Sequence, residues 1–390
     1  MSAPAERVTI KDVAAAAGVS KGAVSLAFNH KPGVSEATRE RIFAAARRLG
    51  WAPNSSARSL SRQSVDTIGL AICRPARLLG LEPFYMEFIS GIESVLAERN
   101  CSLLLRLVGS LEEEISLQER WWRERQVGGS ILVDFHQEDP RIGPLRRIGL
   151  PAVAVGHPDL TGGFPSIWTD DAKAVAEAVR YLAALGHRRI ARVGGPTGLG
   201  HSAIRVNAFE RTMEELGLDG GLHVETGFSG EEGARATRSL LLAADRPTAI
   251  IYDNDITAVA GLGVAAEMGV SVPDDLSLLA WDDSQLCRLT HPTLSAMSHD
   301  VHGFGAQVTR VLFDVLAGQE VQSRPVATPS LMPRASTAPP AAETGPGPAG
   351  RGSPAAPRSA SRARRRSNRI RRFGPAGHFR DRLGCRVEPV

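Results

Sequence analysis

The sequence contains no apolar run long enough to cross a bilayer. The longest, such as Ile68–Cys73 and Ala249–Tyr252, fall well short of the ~20 residues required, which excludes a transmembrane protein. The opening residues Met1-Ser-Ala-Pro-Ala-Glu-Arg7 lack the apolar core of a secretory signal, so a cytoplasmic protein is expected. Cysteine is scarce. Cys73, Cys101, Cys287 and Cys385 are scattered without C-x-x-C spacing, which argues against a zinc module and a disulfide framework; the first three read as small core residues. No cluster of His, Cys and carboxylates has metal-ligand spacing, so neither metal nor cofactor is expected. The one glycine-rich loop, Gly194-Gly-Pro-Thr-Gly-Leu-Gly200, lacks both the phosphate-binding lysine motif and the G-x-G-x-x-G order. With no Ser/His/Asp or Cys/His motif besides, an enzyme is disfavoured. His157 reads as a satisfied loop histidine, and Trp121-Trp122 as half-buried packing or dimer surface.

What is present is a chain of 390 residues, 43% apolar and 23% charged, enough for two or three domains. Its net charge of +4 conceals an asymmetry. Residues 1–62 carry 10 basic and 4 acidic side chains and residues 339–390 carry 12 and 3, leaving 24 and 35 in between. A basic head on an acidic body suggests that one end meets a polyanion while the body does something else.

Between 64 and 338, short runs rich in Val, Ile and Leu alternate with amphipathic segments. The expected strands are Thr67–Cys73, Ser102–Val108, Ser130–Phe135, Ala152–Val155, Ile190–Gly194, Ala249–Tyr252 and Leu276–Trp281. The expected helices are Tyr85–Arg99, Leu111–Arg125, Ala172–Leu185, Ala203–Leu216, Gly230–Ala243, Ile256–Met268 and His302–Leu316. Regular β-α alternation implies parallel sheets covered on both faces. The length exceeds one comfortable sheet, so two similar halves flanking a cleft are expected. From Pro339 onward the composition shifts to Pro, Ala, Gly, Ser and Arg, and residues 339–390 read as a disordered basic tail. Arg364 to Arg372 could hold nucleic acid without sequence preference, or simply be solvated.

The first 50 residues read as three short helices. Thr9-Ile-Lys-Asp12 has capping-box spacing; Ile10, Val13, Ala14 and Ala17 then follow at helical intervals. Gly18-Val19 makes a turn, Ser20 caps the next helix, and Val24, Ala27 and Phe28 give it an apolar side. A third helix starts at Ser35 and packs through Ile42, Ala45, Ala46 and Leu49. This is helix-turn-helix spacing. Lys21, Gly22, Ser25, Leu26 and Asn29 are left on the outer side of the second helix, where they can face a DNA major groove. Small three-helix modules also serve as protein-binding or structural units.

The segment Val8-Thr-Ile-Lys-Asp-Val-Ala-Ala-Ala-Ala-Gly-Val-Ser-Lys21, with Val24-Ser25, Asn29, Lys31-Pro-Gly-Val-Ser35, Thr38-Arg39-Glu-Arg-Ile42 and Pro53-Asn54…Ala57-Arg-Ser-Leu60, resembles the head and hinge of the LacI (lactose-repressor) family. The body is similar to that family's periplasmic-binding-protein-like core, through Gly91-Ile-Glu93, Leu185-Gly-His-Arg-Arg-Ile190, Asp253-Asn-Asp255, Ala280-Trp-Asp-Asp283 and Pro333-Arg-Ala-Ser-Thr337. The resemblance implies an all-α helix-turn-helix head over 7–52, a hinge helix over 53–63, and an α/β effector-binding and dimerisation core of two subdomains over 64–338. The tail at 339–390 lies outside it.

The resemblance further implies a transcriptional regulator, a repressor, that binds pseudo-palindromic operator DNA as a homodimer or tetramer. Its DNA contacts would come from Thr9, Ser20, Lys21, Gly22, Ser25, Leu26 and Asn29, and from Ser56, Ala57 and Leu60 of the hinge, with Leu60 wedged between base pairs. Where many members carry a basic residue this chain has Leu26, so its half-site cannot be inferred from relatives. A small effector, a sugar in the family's commonest case, would sit between the subdomains against Asp170, Arg205, Asn254 and Asp282, with Phe84 and Trp281 offering aromatic faces. Two readings compete: a regulator governed by a protein co-repressor, and a solute-binding protein sharing the core.

Overall fold

The computed structural model describes residues 8–29, 31–52 and 66–341. The expected hinge with Ser56, Ala57 and Leu60 lies outside the described residues, as does the tail from 342.

The head is three helices, α1 Ile10–Ala17, α2 Lys21–Phe28 and α3 Glu36–Leu49. The backbone N–H and the hydroxyl of Thr9 both donate to Asp12, each at 2.7 Å, and these bonds hold the Asp12 carboxyl below its usual range. Gly18 ends α1 with φ 66°, a left-handed conformation that glycine adopts without steric cost. Ser20 then accepts from the Ala23 N–H at 3.1 Å to start α2. Val13, Val24, Ala27 and Ile42 are fully buried between the helices, and Phe28 packs edge-on against Phe43 and Trp51.

The core contains two six-stranded sheets. The first has the order β11-β5-β4-β3-β1-β2 and is parallel throughout. Its strands are β1 Thr67–Ile72, β2 Ser102–Leu107, β3 Gly129–Leu132, β4 Ala152–Val155, β5 Ser166–Trp168 and β11 Arg324–Pro325. The second has the order β12-β10-β9-β8-β6-β7, with only β12 antiparallel. It comprises β6 Arg189–Gly194, β7 Asp219–Glu225, β8 Ala249–Tyr252, β9 Ser277–Asp282, β10 Ser295–Ser298 and β12 Ser330–Met332. The chain passes between the sheets three times: after Trp168, after Ser298 and after Pro325.

Burial on both faces explains the near-continuous apolar strands. In the first lobe, Ile68, Leu70, Ile72, Ile131 and Val153 pack against helices Pro83–Glu98 and Val301–Leu316. In the second, Ile250, Tyr252, Leu278 and Ala280 pack against helices Gly230–Leu242 and Asp255–Glu267 on one face. On the other face Ile190, Ile251, Leu279 and Trp281 meet helices Asp171–Ala184 and Gly200–Glu215. All seven expected strands and seven expected core helices are present, with ends shifted by a few residues. The unanticipated strands β5, β10, β11 and β12 are two to four residues long, too short to show a period; β7 is longer but opens on Asp219-Gly-Gly221, which reads as a turn. Trp121 proves to be core, and the Trp122 indole donates to the Ile148 carbonyl at 2.9 Å. Of the described cysteines, Cys287 is buried and Cys73 and Cys101 are half-buried against core clusters. Among the described residues no helix is long and apolar enough to cross a membrane.

Candidate functional site

The strands of both sheets end at a common cleft with about 900 Å³ of empty space, part of it continuous with solvent. In open α/β sheets this is where loops and helix N-termini converge on a ligand. Arg74 follows β1, Asp134 follows β3 and Gly156-His157 follow β4; Asp253 follows β8, Asp282 ends β9 and His299 follows β10.

The expected residues divide. Phe84, Arg205 and Asp282 line the cleft. Phe84 stacks on His299 at 6.3 Å, and Asp282 bonds the His299 Nε2 at 3.0 Å. The Arg205 Nε donates to Asp171 at 2.8 Å, its Nη1 donates to the Asp253 carbonyl at 3.3 Å, and its guanidinium lies 4.4 Å from the centre of a Trp281 ring. Asp170 and Asn254 are not on the wall. Asp170 caps the helix Asp171–Ala184, accepting from the Lys173 N–H at 3.0 Å. Asn254 caps Asp255–Glu267, accepting from the Thr257 N–H at 2.9 Å while donating to the Phe228 carbonyl at 3.1 Å. The wall positions belong to their neighbours, Asp171 and Asp253. Trp281 is fully buried beneath Arg205 and offers no open face to the cleft.

Sequence reasoning passed over the opposite wall. Arg74 donates to both oxygens of Asp134, at 2.9 and 3.3 Å, and reaches Glu82 at 3.5 Å; the Tyr85 hydroxyl donates to Asp134 at 2.6 Å. Burial acts to raise the Asp134 carboxyl, but Arg74, then His201 and Tyr85, overcome it and hold it well below the usual range. Burial pushes Glu82 up to about 7 against the pull of Arg74, with Asp134 and Asp282 adding to the rise. Burial likewise pushes Asp255, behind the wall, up to about 6. On the other side, Arg192 is fully buried and bonded to Asp253, which also accepts from the Gly195 N–H at 3.0 Å. The signal that could have found Arg74, Asp134 and Asp253 is position alone: each stands just beyond the carboxyl end of a strand.

Aromatic groups complete the surface. His157 lines the cleft and meets Trp168 edge-on at 4.5 Å. Phe228 carries φ 66°, which costs a non-glycine residue about 1–2 kcal/mol, and its ring lies where a Cβ on Gly195 would stand. The glycine-rich loop is thus occupied by protein: Gly195 seats the Phe228 ring, and the Gly200 N–H donates to the Phe135 carbonyl of the other lobe at 2.7 Å.

On the head, Thr9, Ser20, Lys21, Gly22 and Ser25 are exposed. Leu26 is half-buried, with a methyl 3.4 Å from the Cβ position of Gly33, and the Asn29 amide donates to the Ser25 hydroxyl at 3.4 Å. A side chain at Gly22 would meet only the Ser20 hydroxyl. Among the described residues, no group of three or more His, Cys, Asp or Glu side chains could hold a metal ion.

Residues 9–54 match the family described as bacterial regulatory proteins, lacI family, and residues 179–337 match the periplasmic binding protein-like domain. The chain is 30% identical over 338 residues to the HTH-type transcriptional regulator CelR of Thermobifida fusca, covering 85% of this chain and 98% of that one. Among solved structures, the CelR–cellobiose complex aligns with 28% identity and TM-score 0.64, over 85% of this chain and all of that chain. The lac repressor dimer bound to operator and the anti-inducer ONPF aligns with 26% identity and TM-score 0.76 over the same shares.

Proposed function

The chain belongs to the lacI family of bacterial regulatory proteins and is a DNA-binding transcriptional regulator, and from that premise we propose how its parts divide the work. Helix α2 enters the major groove, with Gly22, Ser25 and Leu26 towards base edges, Thr9, Ser20 and Lys21 towards phosphates, and Asn29 at the helix end. Residues 53–63 form the hinge of a homodimer, Ser56 and Ala57 facing the minor groove and Leu60 wedging the centre of a pseudo-palindrome. The protein works in the cytoplasm as a repressor and catalyses no reaction; the relative CelR carries a regulator's name.

The effector is a small carbohydrate held between the lobes. The observation that carries this reading is the cleft itself: carboxylates and guanidiniums in fixed hydrogen-bonded positions share its wall with the aromatic side chains of Phe84, Trp168 and Phe228. Hydroxyl pairs suit the first set and the C–H face of a sugar ring suits the second. A protein co-repressor would need no such cleft between the lobes. Cellobiose, the sugar of the CelR complex, is the first candidate to try. Effector binding then shifts the balance between two arrangements of the lobes, a coupling typically of about 1–3 kcal/mol.

The test is selection of duplexes from random DNA at physiological salt, followed by titration of neutral sugars into the operator complex. A palindromic site whose occupancy changes with one sugar is the expected result. A palindrome indifferent to every sugar would overturn the carbohydrate reading and leave the regulator intact.

A further inference from the structure

The cations of the cleft are all engaged, while its carboxylates are in surplus. Arg74 is shared between Asp134 and Glu82, Arg205 is held by Asp171, and Arg192 behind the wall is held by Asp253. Among the described residues lining the cleft there is no lysine, and no arginine lacks a carboxylate partner. Burial, and then Arg205, hold the His201 imidazole below its usual value. Against these stand Asp134, Asp171, Asp253 and Asp282, with Glu82, pushed up to about 7 by burial, only partly ionised near neutrality.

Three of the five are incompletely matched: the buried Oδ1 of Asp253 bonds to nothing among the described residues. Glu82, from the first lobe, has only the third and longest contact of Arg74. Asp282, from the second lobe, has His299 as its partner, and the buried Nδ1 of that ring bonds to nothing among the described residues. Glu82 and Asp282 line the same cleft from opposite lobes. A hydroxyl placed here would donate to Asp282, and to Glu82 in its ionised form, in a charge-assisted bond. A phosphate or carboxylate would lose its hydration opposite fixed negative charge, with no cation to compensate.

Taking the cleft as the effector site, the geometry points to an effector without negative charge: an uncharged, hydroxyl-rich ring that hydrogen-bonds Glu82 and Asp282, while phosphorylated and carboxylated sugars are turned away. The surplus lies at the meeting of the two lobes, so the same pair that rejects an anion would be bridged by a neutral ligand's hydroxyls.

The experiment is calorimetric titration of the full chain with neutral sugars and their charged derivatives: cellobiose against cellobionic acid, glucose against glucose 6-phosphate and glucuronic acid, and ribose against ribose 5-phosphate. For whichever neutral sugar binds, the anionic counterpart is expected to bind at least tenfold more weakly, ~1.4 kcal/mol. In the double variant Glu82→Gln, Asp282→Asn that gap should shrink to about threefold or less. An anionic derivative that binds as tightly as its neutral parent would overturn the charge rule while leaving the cleft as the sugar site. Failure of every sugar to bind, charged or neutral, would overturn both. The wild-type comparison decides the matter even if the double variant does not fold.

Discussion

Arg74 follows the first strand of one lobe and Phe228 lies in a loop of the other, yet the guanidinium carbon sits 4.6 Å from the centre of the Phe228 ring. The same arginine holds Asp134 and Glu82, so one side chain ties the acidic wall of its own lobe to an aromatic face of the other. Phe228→Leu keeps most of the volume and removes the ring. A cation–π contact of this kind contributes about 0.5–2 kcal/mol. Effector affinity is therefore expected to fall by roughly 2- to 30-fold. Calorimetry checks it, and an unchanged dissociation constant would show that the contact does not stabilise the ligand-bound arrangement.

Glu82 makes stability depend on pH in a predictable direction. Its folded-state value near 7 stands above the ordinary 4.5, so the folded protein holds that proton more tightly than the unfolded chain. The favourable contribution is complete below the ordinary value and disappears as pH rises through the folded one. Glu82→Gln should accordingly raise the melting temperature at about pH 8 and change it little at about pH 4. Equal shifts at both pH values would point to packing rather than ionisation.

The two long helices of the first lobe, Pro83–Glu98 and Val301–Leu316, cross with glycine on both sides. A Cβ on Gly91 would stand 2.0 Å from the His302 carbonyl oxygen, and one on Gly305 would stand 2.2 Å from that of Phe88. Both obstacles are backbone, so the helices must part to admit a methyl group. Gly91→Ala and Gly305→Ala should each cost about 1–3 kcal/mol, read from denaturant midpoints. Phe84 and Phe304 ride on these helices at the cleft, so effector affinity should fall as well.

On the head, Lys21 is exposed at the start of α2, whereas Leu26 is half-buried beside Gly33. A lysine that meets phosphate contributes without regard to sequence. Lys21→Ala should weaken operator and random DNA alike and lower the salt-dependence slope by about 1. Loss of preference for the operator alone would instead make Lys21 a base-reading residue.

The order of strands and helices was legible because apolar runs and amphipathic segments alternate over the whole core, and the head because its caps and turn fall at fixed spacings. The cleft was legible only to the nearest residue. At Asp170-Asp171 and Asp253-Asn254 two polar residues stand at a strand-to-helix junction, and either can cap the helix. Backbone direction decides between them: Asp170 and Asn254 turn inward onto helix N–H groups, which leaves Asp171 and Asp253 facing the opening. Composition carries no record of that choice. Arg74 and Asp134 were hidden differently, since the expected strands Thr67–Cys73 and Ser130–Phe135 leave Arg74 just past one strand end and take Asp134 into the other.

Arg205 connects the helix junction to the ligand space, because it holds Asp171 and covers Trp281 while facing the cleft. Arg205→Lys keeps the charge but loses the planar fork that satisfies Asp171 and the Asp253 carbonyl together. Operator affinity without effector should stay within about threefold, while the effector-induced change in occupancy should fall by at least about tenfold. A structural role alone would show a different pattern. Arg205→Ala leaves the Asp171 carboxylate nearly buried without its partner, at a cost of about 3–5 kcal/mol, and adding Asp171→Asn removes that lone charge. The double variant should recover much of the lost stability without recovering the response to effector. If both return together, Arg205 serves only to hold the helix in place, and the ligand is bound by other residues of the wall.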